Sequence, residues 1–269
     1  MQKPETEQTP KEITEVALYG DLKTFIGPSG HSYTIQEQNG EHDSLLSNIS
    51  STMSGDNYDM FVASIVIKTD LTTSGKIMGH DVQNIPSLDF AMIILQSRLH
   101  SLGAEIKFTY EWETGKPSRY IEDLKLYLPD FSLSAEDLEL WIKANPLSCP
   151  KYPNGNNPLV EFTTTKSNKF KFSIATRGIE KLMLGMDEGD LDINTKLKIR
   201  GLKQELEGKW ITVTNFQYIK AAEMRQIRGY LDKFDPTFNA VSEITNPVNK
   251  MKHTISLLEL QDFFFPAEI

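Results

Sequence analysis

Catalysis needs groups that ionise, coordinate or attack, and this chain carries few of them at useful spacings. Its five histidines, His31, His42, His80, His100 and His253, are scattered. No two are spaced to share one helical face. Glu41-His42-Asp43 and His80-Asp81 each offer a metal ligand or two. Adjacent helical side chains diverge by about 100°, so neither group makes a site alone. No phosphate-cradling loop, dinucleotide fingerprint or nucleophile elbow is present. Cys149, beside Pro150, is the single cysteine. One thiol builds neither a disulfide framework nor a cysteine zinc site within one chain, and it reads as incidental rather than reactive. Asp187, Glu188, Asp190 and Asp192 form an acidic run that lacks the closing Glu of a calcium loop and reads as solvated. Lys220, Arg225 and Arg228 make one basic helix face, a solvated surface or a partner contact. The expectation is a protein with no catalytic residue, no metal and no cofactor, and therefore not an enzyme.

The feature that stands out is aromatic. Phe263, Phe264 and Phe265 are consecutive, preceded by Asp262 and followed by Pro266. Side chains alternate along a strand, so three adjacent rings cannot all face one core from a strand. They are either sandwiched or exposed, and an exposed cluster marks a docking surface. Pro266 restricts Phe265 to extended dihedrals, which predicts a strand-like strip. Phe263, Phe264, Phe265 and Pro266 are the candidate partner-binding residues. Packing of the same rings into the chain's own second lobe stands as the alternative.

Composition bounds the rest. The chain has 269 residues, 39% hydrophobic and 10% aromatic, enough for a sizeable core. Its net charge is −9, with the acid spread along the chain, which argues against nucleic acid as a partner. No apolar run is long enough to span a membrane, and the N-terminus lacks a signal-peptide core. A soluble protein made in a reducing cytoplasm is expected.

Hydrophobic periodicity predicts an α+β chain of two small lobes, each built of β-hairpins packed with short helices. Residues 1–15, almost without apolar side chains, are expected to form a disordered arm. The first lobe spans 16–145. It starts with a hairpin, Leu22 to Ile26 and Ser32 to Gln36, turned by Gly27-Pro28-Ser29-Gly30. A helical stretch carrying Leu45, Leu46 and Ile49 follows. Further helices are predicted from Asn57 to Thr69, with Asp56 as N-cap, and from Ser87 to a stop at Gly103. Ile106, Phe108, Tyr110 and Trp112 alternate with polar residues, and Tyr120 to Leu128 runs back. A short acidic helix is expected at 135–142, and 146–158 is a Pro-rich linker. The second lobe spans 159–269. It has a hairpin at 159–175, helices at 179–184, 191–206 and 222–234, a short strand at Trp210, and a last hairpin from Val241 to Thr245 and His253 to Leu257.

Two stretches carry a resemblance. Pro28-Ser29-Gly30-His31-Ser32-Tyr33-Thr34-Ile35-Gln36-Glu37-Gln38-Asn39-Gly40-Glu41-His42-Asp43 resembles the opening of bacteriophage tail proteins, where a hairpin leads through Gln-Asn-Gly into a helix. Asp235-Pro236-Thr237-Phe238, Ile244-Thr245-Asn246-Pro247 and Asp262-Phe263-Phe264-Phe265-Pro266 are similar to their closing part. Together they resemble the baseplate hub assembly family of contractile-tailed (T-even-like) phages. The resemblance implies a protein that binds other tail and baseplate proteins, as a transient chaperone or a resident subunit. It would act in the host cytoplasm during assembly and, if resident, in the tail baseplate. Self-association is left open. Some relatives carry the cysteine pairs of a zinc ribbon before the aromatic terminus. Here the corresponding turn reads Asn246-Pro247-Val248-Asn249-Lys250, so hairpin packing is expected to replace metal. The competing expectation is a metal-dependent hydrolase encoded in a phage tail module, using His42 with nearby carboxylates.

Overall fold

Strand alternation is obeyed in the first hairpin of the computed structural model, which describes residues 20–47, 55–113, 115–127, 159–186, 192–234, 240–259 and 263–265. Strands β1 (Leu22–Ile26) and β2 (Ser32–Gln36) pair antiparallel, from Leu22 opposite Gln36 to Ile26 opposite Ser32. Tyr33 and Ile35 alternate inward and are fully buried. Of the turn glycines, Gly30 has a left-handed φ of 86°. Gly27 answers a different need: a Cβ there would lie 2.8 Å from the Asp89 carboxyl and from the Tyr33 ring.

Helix α1 (Gly40–Leu46) starts at Asn39, whose Oδ1 accepts from the amides of Glu41 and His42. The Asn39 amide donates back to His42 Nδ1 at 3.0 Å, a reciprocal cap with histidine at the third helical position. Helix α2 (Asp56–Ile65) is shorter than expected, and its N-cap position is Gly55 with φ 70°, so Asp56 is the first helical residue and not the cap. Val66–Thr69 leave the helix as strand β3 and pair with β2 across a bulge at Thr34/Ile35. β-Branched Val66, Ile67 and Thr69 suit a strand, and the open edge of β2 supplies its hydrogen bonds.

Helix α3 (Ser87–Ser101) is the centre of the first core, with Phe90, Ile93, Ile94 and Leu95 buried. Pro86 occupies its N-cap position and Ser87 is already helical. The stop lies at Leu102 and Gly103, the latter with φ 79°. Buried Arg98 closes that end by donating to the carbonyls of Gly103 at 2.7 Å and Glu105 at 3.0 Å. Strands β4 (Glu105–Tyr110) and β5 (Ser118–Asp123) form the next hairpin. Residues 124–127 turn into a 3-10 helix instead of prolonging the strand, because Leu124 must enter the core. The expected arm, the acidic helix at 135–142, Cys149 and the linker lie outside the described residues.

The second core rests on one antiparallel sheet in the order β6 (Leu159–Thr163), β7 (Lys169–Ser173), β8 (Lys203–Leu206), β9 (Lys209–Thr212). Helices α4 (Arg177–Leu184), α5 (Ile193–Ile199) and α6 (Ala221–Phe234) accompany it. A single helix over 191–206 is not what forms. Gly201, at φ 64°, ends the helical segment, and β8 pairs with β7 and β9. Glu207 and Gly208, at φ 52° and 76°, make the tight left-handed turn between β8 and β9. Val160, Phe162, Phe170 and Phe172 from the sheet meet Leu197, Ile227 and Leu231 from the helices.

The last hairpin, β10 (Val241–Thr245) with β11 (Lys252–Ser256), departs from the expected lobe boundary. Ala240, Ile244, Leu257, Phe263 and Phe264 belong to the first core, with Tyr33, Phe61 and Ile93. The hairpin lies against β4 and β5: Tyr120 donates its hydroxyl to the Thr245 carbonyl at 3.0 Å, and Ser242 donates to Glu122. The protein is thus α+β with two cores, and the chain enters the first, builds the second, and returns to finish the first.

Candidate functional site

The aromatic tail is internal where it is described. Phe263 is fully buried and Phe264 is 6% exposed. The Phe264 ring packs edge-on against Phe61 at 5.4 Å and beside Tyr58 at 6.0 Å, both on α2. Phe265 is half-buried against the same core, and Pro266 lies outside the described residues. Phe263 is in a 3-10 conformation and Phe264 and Phe265 lie in a turn and a bend, so the three described residues are not an extended strip. That geometry lets neighbouring rings Phe263 and Phe264, 4.7 Å apart and near perpendicular, enter one core. Phe263 and Phe264 are therefore not the exposed anchor expected of them. Phe264 is received by α2 of the same chain, and both rings belong to the first core.

His42, the residue of the hydrolase reading, is 2% exposed and serves the α1 cap. Its ring lies edge-on to Phe61 at 5.8 Å. Burial, the larger influence, pulls its pKa below the ordinary value against the opposing charges of Glu41 and Asp43. Exposed His80 sits 3.4 Å from the buried Asp81 carboxylate. Among the described residues no group of three or more His, Cys, Asp or Glu is arranged to hold a metal ion. Asp192 caps α5 by accepting from the Thr195 amide at 2.7 Å, while Asp187, Glu188 and Asp190 lie outside the described residues. Lys220, Arg225 and Arg228 are exposed.

A polar cluster that residue spacing does not reveal lies under the first hairpin. Asp89, three residues into α3, is fully buried. Its carboxylate accepts from the Ser29 amide at 2.7 Å, from the Ser29 hydroxyl, and from the Tyr33 hydroxyl at 2.7 Å. Alongside, His31 Nδ1 donates to Asp70 at 3.0 Å, and Asp70 also accepts from the Ser32 amide. Ser29, His31 and Asp89 are fully buried, so no substrate reaches the serine hydroxyl. The cluster pins the Pro28–Gly30 turn onto α3.

The second polar cluster joins the two cores. Arg177, at the start of α4, donates Nε to Asp59 at 2.7 Å and Nη2 to the Gly55 carbonyl at 3.2 Å. Its guanidinium lies 4.4 Å from the Phe90 ring centre. Lys181 reaches Asp59 at 2.9 Å and also Asp56. Gln83 donates to Asp59 at 2.9 Å. Backbone bonds run in parallel, from Ser87 to Ala175 at 3.1 Å and from Arg177 to Ile85 at 2.9 Å. Beside this seam a cavity of about 490 Å³ opens between α2, α3, α4, α5 and α6. A cavity of that size, apolar inside with a few charged groups and set between two cores, is the usual place for a ligand.

Comparison with protein-family models, curated proteins and solved structures finds no match to this chain. The site rests on its own geometry. Residue spacing reveals none of the buried partners Asp59, Asp89 and Arg177. The available signal is the lone acid inside an apolar helical run, as in Ser87-Leu88-Asp89-Phe90-Ala91-Met92, because a charge on a core-facing turn demands donors.

Proposed function

We propose that the chain is a contractile-phage tail protein that acts in assembly of the baseplate hub by binding other tail proteins. The observation that supports this reading is the meeting of the two stretches that carry the resemblance. Tyr33 and Ile35 of the opening stretch and Ile244, Phe263 and Phe264 of the closing stretch lie in one core. The opening stretch also takes the form the resemblance implies, a hairpin leading through Asn39 into α1. Residues distant in sequence and resembling one family at both ends act here as one structural unit. No membrane or nucleic acid enters the reading. Among the described residues no helix is long and apolar enough to cross a membrane.

The test is genetic and visual. A phage carrying an amber stop in this gene is expected to accumulate incomplete baseplates by electron microscopy, and supplying the protein in trans restores complete tails. Complete, infectious tails without the protein would overturn the reading. Mass spectrometry of purified particles then separates a resident subunit, present at stoichiometric level, from a chaperone, absent from the virion.

A further inference from the structure

We propose that the free edge of the second sheet pairs with the same edge of a second copy of the chain, strand β9 against strand β9 about a two-fold axis at Ile211. Strand β9 ends the order β6-β7-β8-β9, so one of its sides has no strand of that sheet beside it. Which groups face that side follows from the turn. Leu206 and Lys209 flank the two-residue turn at Glu207 and Gly208 and exchange both their backbone bonds. Bonded and unbonded pairs then alternate, so the backbone groups of Lys209 and Ile211 point to β8 and those of Trp210 and Thr212 point outwards. The Val213 amide keeps the alternation by donating to the Leu202 carbonyl at 2.9 Å. Among the described residues nothing bonds to the outward amides and carbonyls of Trp210 and Thr212.

An edge of unpaired amides and carbonyls accepts another strand, and proteins ordinarily blunt such edges with charge or proline. Strand β1 carries Lys23 and β6 carries Glu161. The stretch Trp210-Ile211-Thr212-Val213-Thr214 carries neither device, and its residues favour strands. The edge also fits itself, and this names the occupant. In antiparallel pairing centred on Ile211, Trp210 of one copy meets Thr212 of the other, and both point outwards to exchange bonds. The two-fold repeats that pair on the other side of the axis. Lys209 then meets Val213 of the second copy, so no like charges oppose each other across the strands. Ile211 meets its own copy. It lies on the face of the sheet that carries Gln204 and Phe170, the face of the second core, yet it is 50% exposed in the single chain. Leu206, on the same face, is 46% exposed. Pairing covers the apolar side chain that the helices leave open. A strand pair this short buries less than a standard interface, so the dimer dissociates on dilution.

Sedimentation of the full chain over a concentration series should show a monomer–dimer equilibrium. Thr212→Pro removes an outward amide without touching the bonds to β8. Ile211→Lys sets like charges side by side at the axis. Each should weaken the dimer roughly tenfold or more. Melting curves establish that the variants are folded, and if Thr212→Pro is not, Ile211→Lys decides alone. Register is read by cross-linking, with Cys149 replaced by serine. Opposed unbonded residues lie about 4.5 Å apart at Cα, within disulfide reach. Ile211→Cys should therefore give a disulfide-linked dimer in oxidising buffer. Lys209→Cys should not, since its two copies lie out of register by about 14 Å. A chain that stays monomeric to its solubility limit overturns the proposal. So does a dimer that either folded variant leaves intact, or a cross-link that forms as readily through Lys209→Cys as through Ile211→Cys. An Ile211→Cys chain that cross-links to a different tail protein and not to itself also overturns it, since the edge would then belong to that partner. None of these outcomes touches the tail reading, which the amber stop tests separately.

Discussion

Asp89 carries the sharpest consequence at the scale of single residues. Burial, the larger influence, pushes its carboxyl above the ordinary carboxylate range, and the Ser29 and Tyr33 donors and the nearby His31 pull it back only in part. The folded protein therefore holds this proton more tightly than the unfolded chain does. The stability so gained is fully present below the ordinary value of 3.8 and is lost as pH rises through the raised folded value. The asparagine variant has no such titration. In urea unfolding between about pH 3 and about pH 8, the stability of the parent relative to Asp89→Asn is expected to fall as pH rises. A parent that gains on the variant over that range would show that the donors outweigh burial. Replacement by alanine leaves three donors facing an empty site and should cost on the order of 3 kcal/mol at neutral pH. None of these partners was legible in advance. Ser29, Tyr33 and Asp89 are joined across about sixty residues of sequence, and only the packing of β2 on α3 brings them together. His42 stands out in sequence for its neighbours Glu41 and Asp43, yet its role depends on Asn39, three residues back.

Among the elements, the first hairpin offers two glycines that are needed for different reasons. Gly30→Val places a branched side chain at φ 86° and should cost about 1–2 kcal/mol. Gly27→Val has no such backbone conflict but drives a Cβ into Asp89 and Tyr33, and overpacking of this kind costs about 1–3 kcal/mol. The cost at Gly27 should shrink in an Asp89→Ala background while the cost at Gly30 stays. Additive losses at both positions in a double-mutant cycle would contradict that difference. The aromatic tail is the second test. Phe264→Ala empties a site against Phe61 and Tyr58 and should lose about 3–5 kcal/mol by chemical denaturation, whereas half-buried Phe265→Ala loses much less. Equal, small losses at both would return Phe264 to the surface. Where an element is a hairpin, the period of two was readable, as in Glu105 to Tyr110 and Lys169 to Ser173. The strands Val66–Thr69 and Lys203–Leu206 look helical in sequence because each is short and follows a helix with little interruption. Their pairing with β2, and with β7 and β9, decides the matter, and a partner strand is invisible in a local window.

For the molecule as a whole, the seam at Asp59 and Arg177 is what couples the cores. Both side chains are about nine-tenths buried, so Arg177→Ala strands a buried carboxylate that Lys181 and Gln83 only partly satisfy. The expected loss is about 3–5 kcal/mol. Differential scanning calorimetry should then resolve two transitions where the parent gives one. A single, merely lowered transition would place the coupling elsewhere, in the backbone bonds between Ile85, Ser87 and Ala175. The α+β class is legible from the order of hairpins and helices, but the packing of the last hairpin and of Phe263 and Phe264 into the first core is not, since nothing local in a strand says which of two cores it will join. That return of the chain has a consequence for synthesis. Among the described residues the second core draws on the stretch from Val160 to Leu231, and that stretch can close as soon as it leaves the ribosome. The first core cannot be completed until Phe263 and Phe264 have been translated. During that interval the residues that will surround them, Phe61 and Tyr58 among them, stay open to chaperones and to neighbouring chains. A translational stall between Leu231 and Phe263 would yield one folded core tethered to one still-open one.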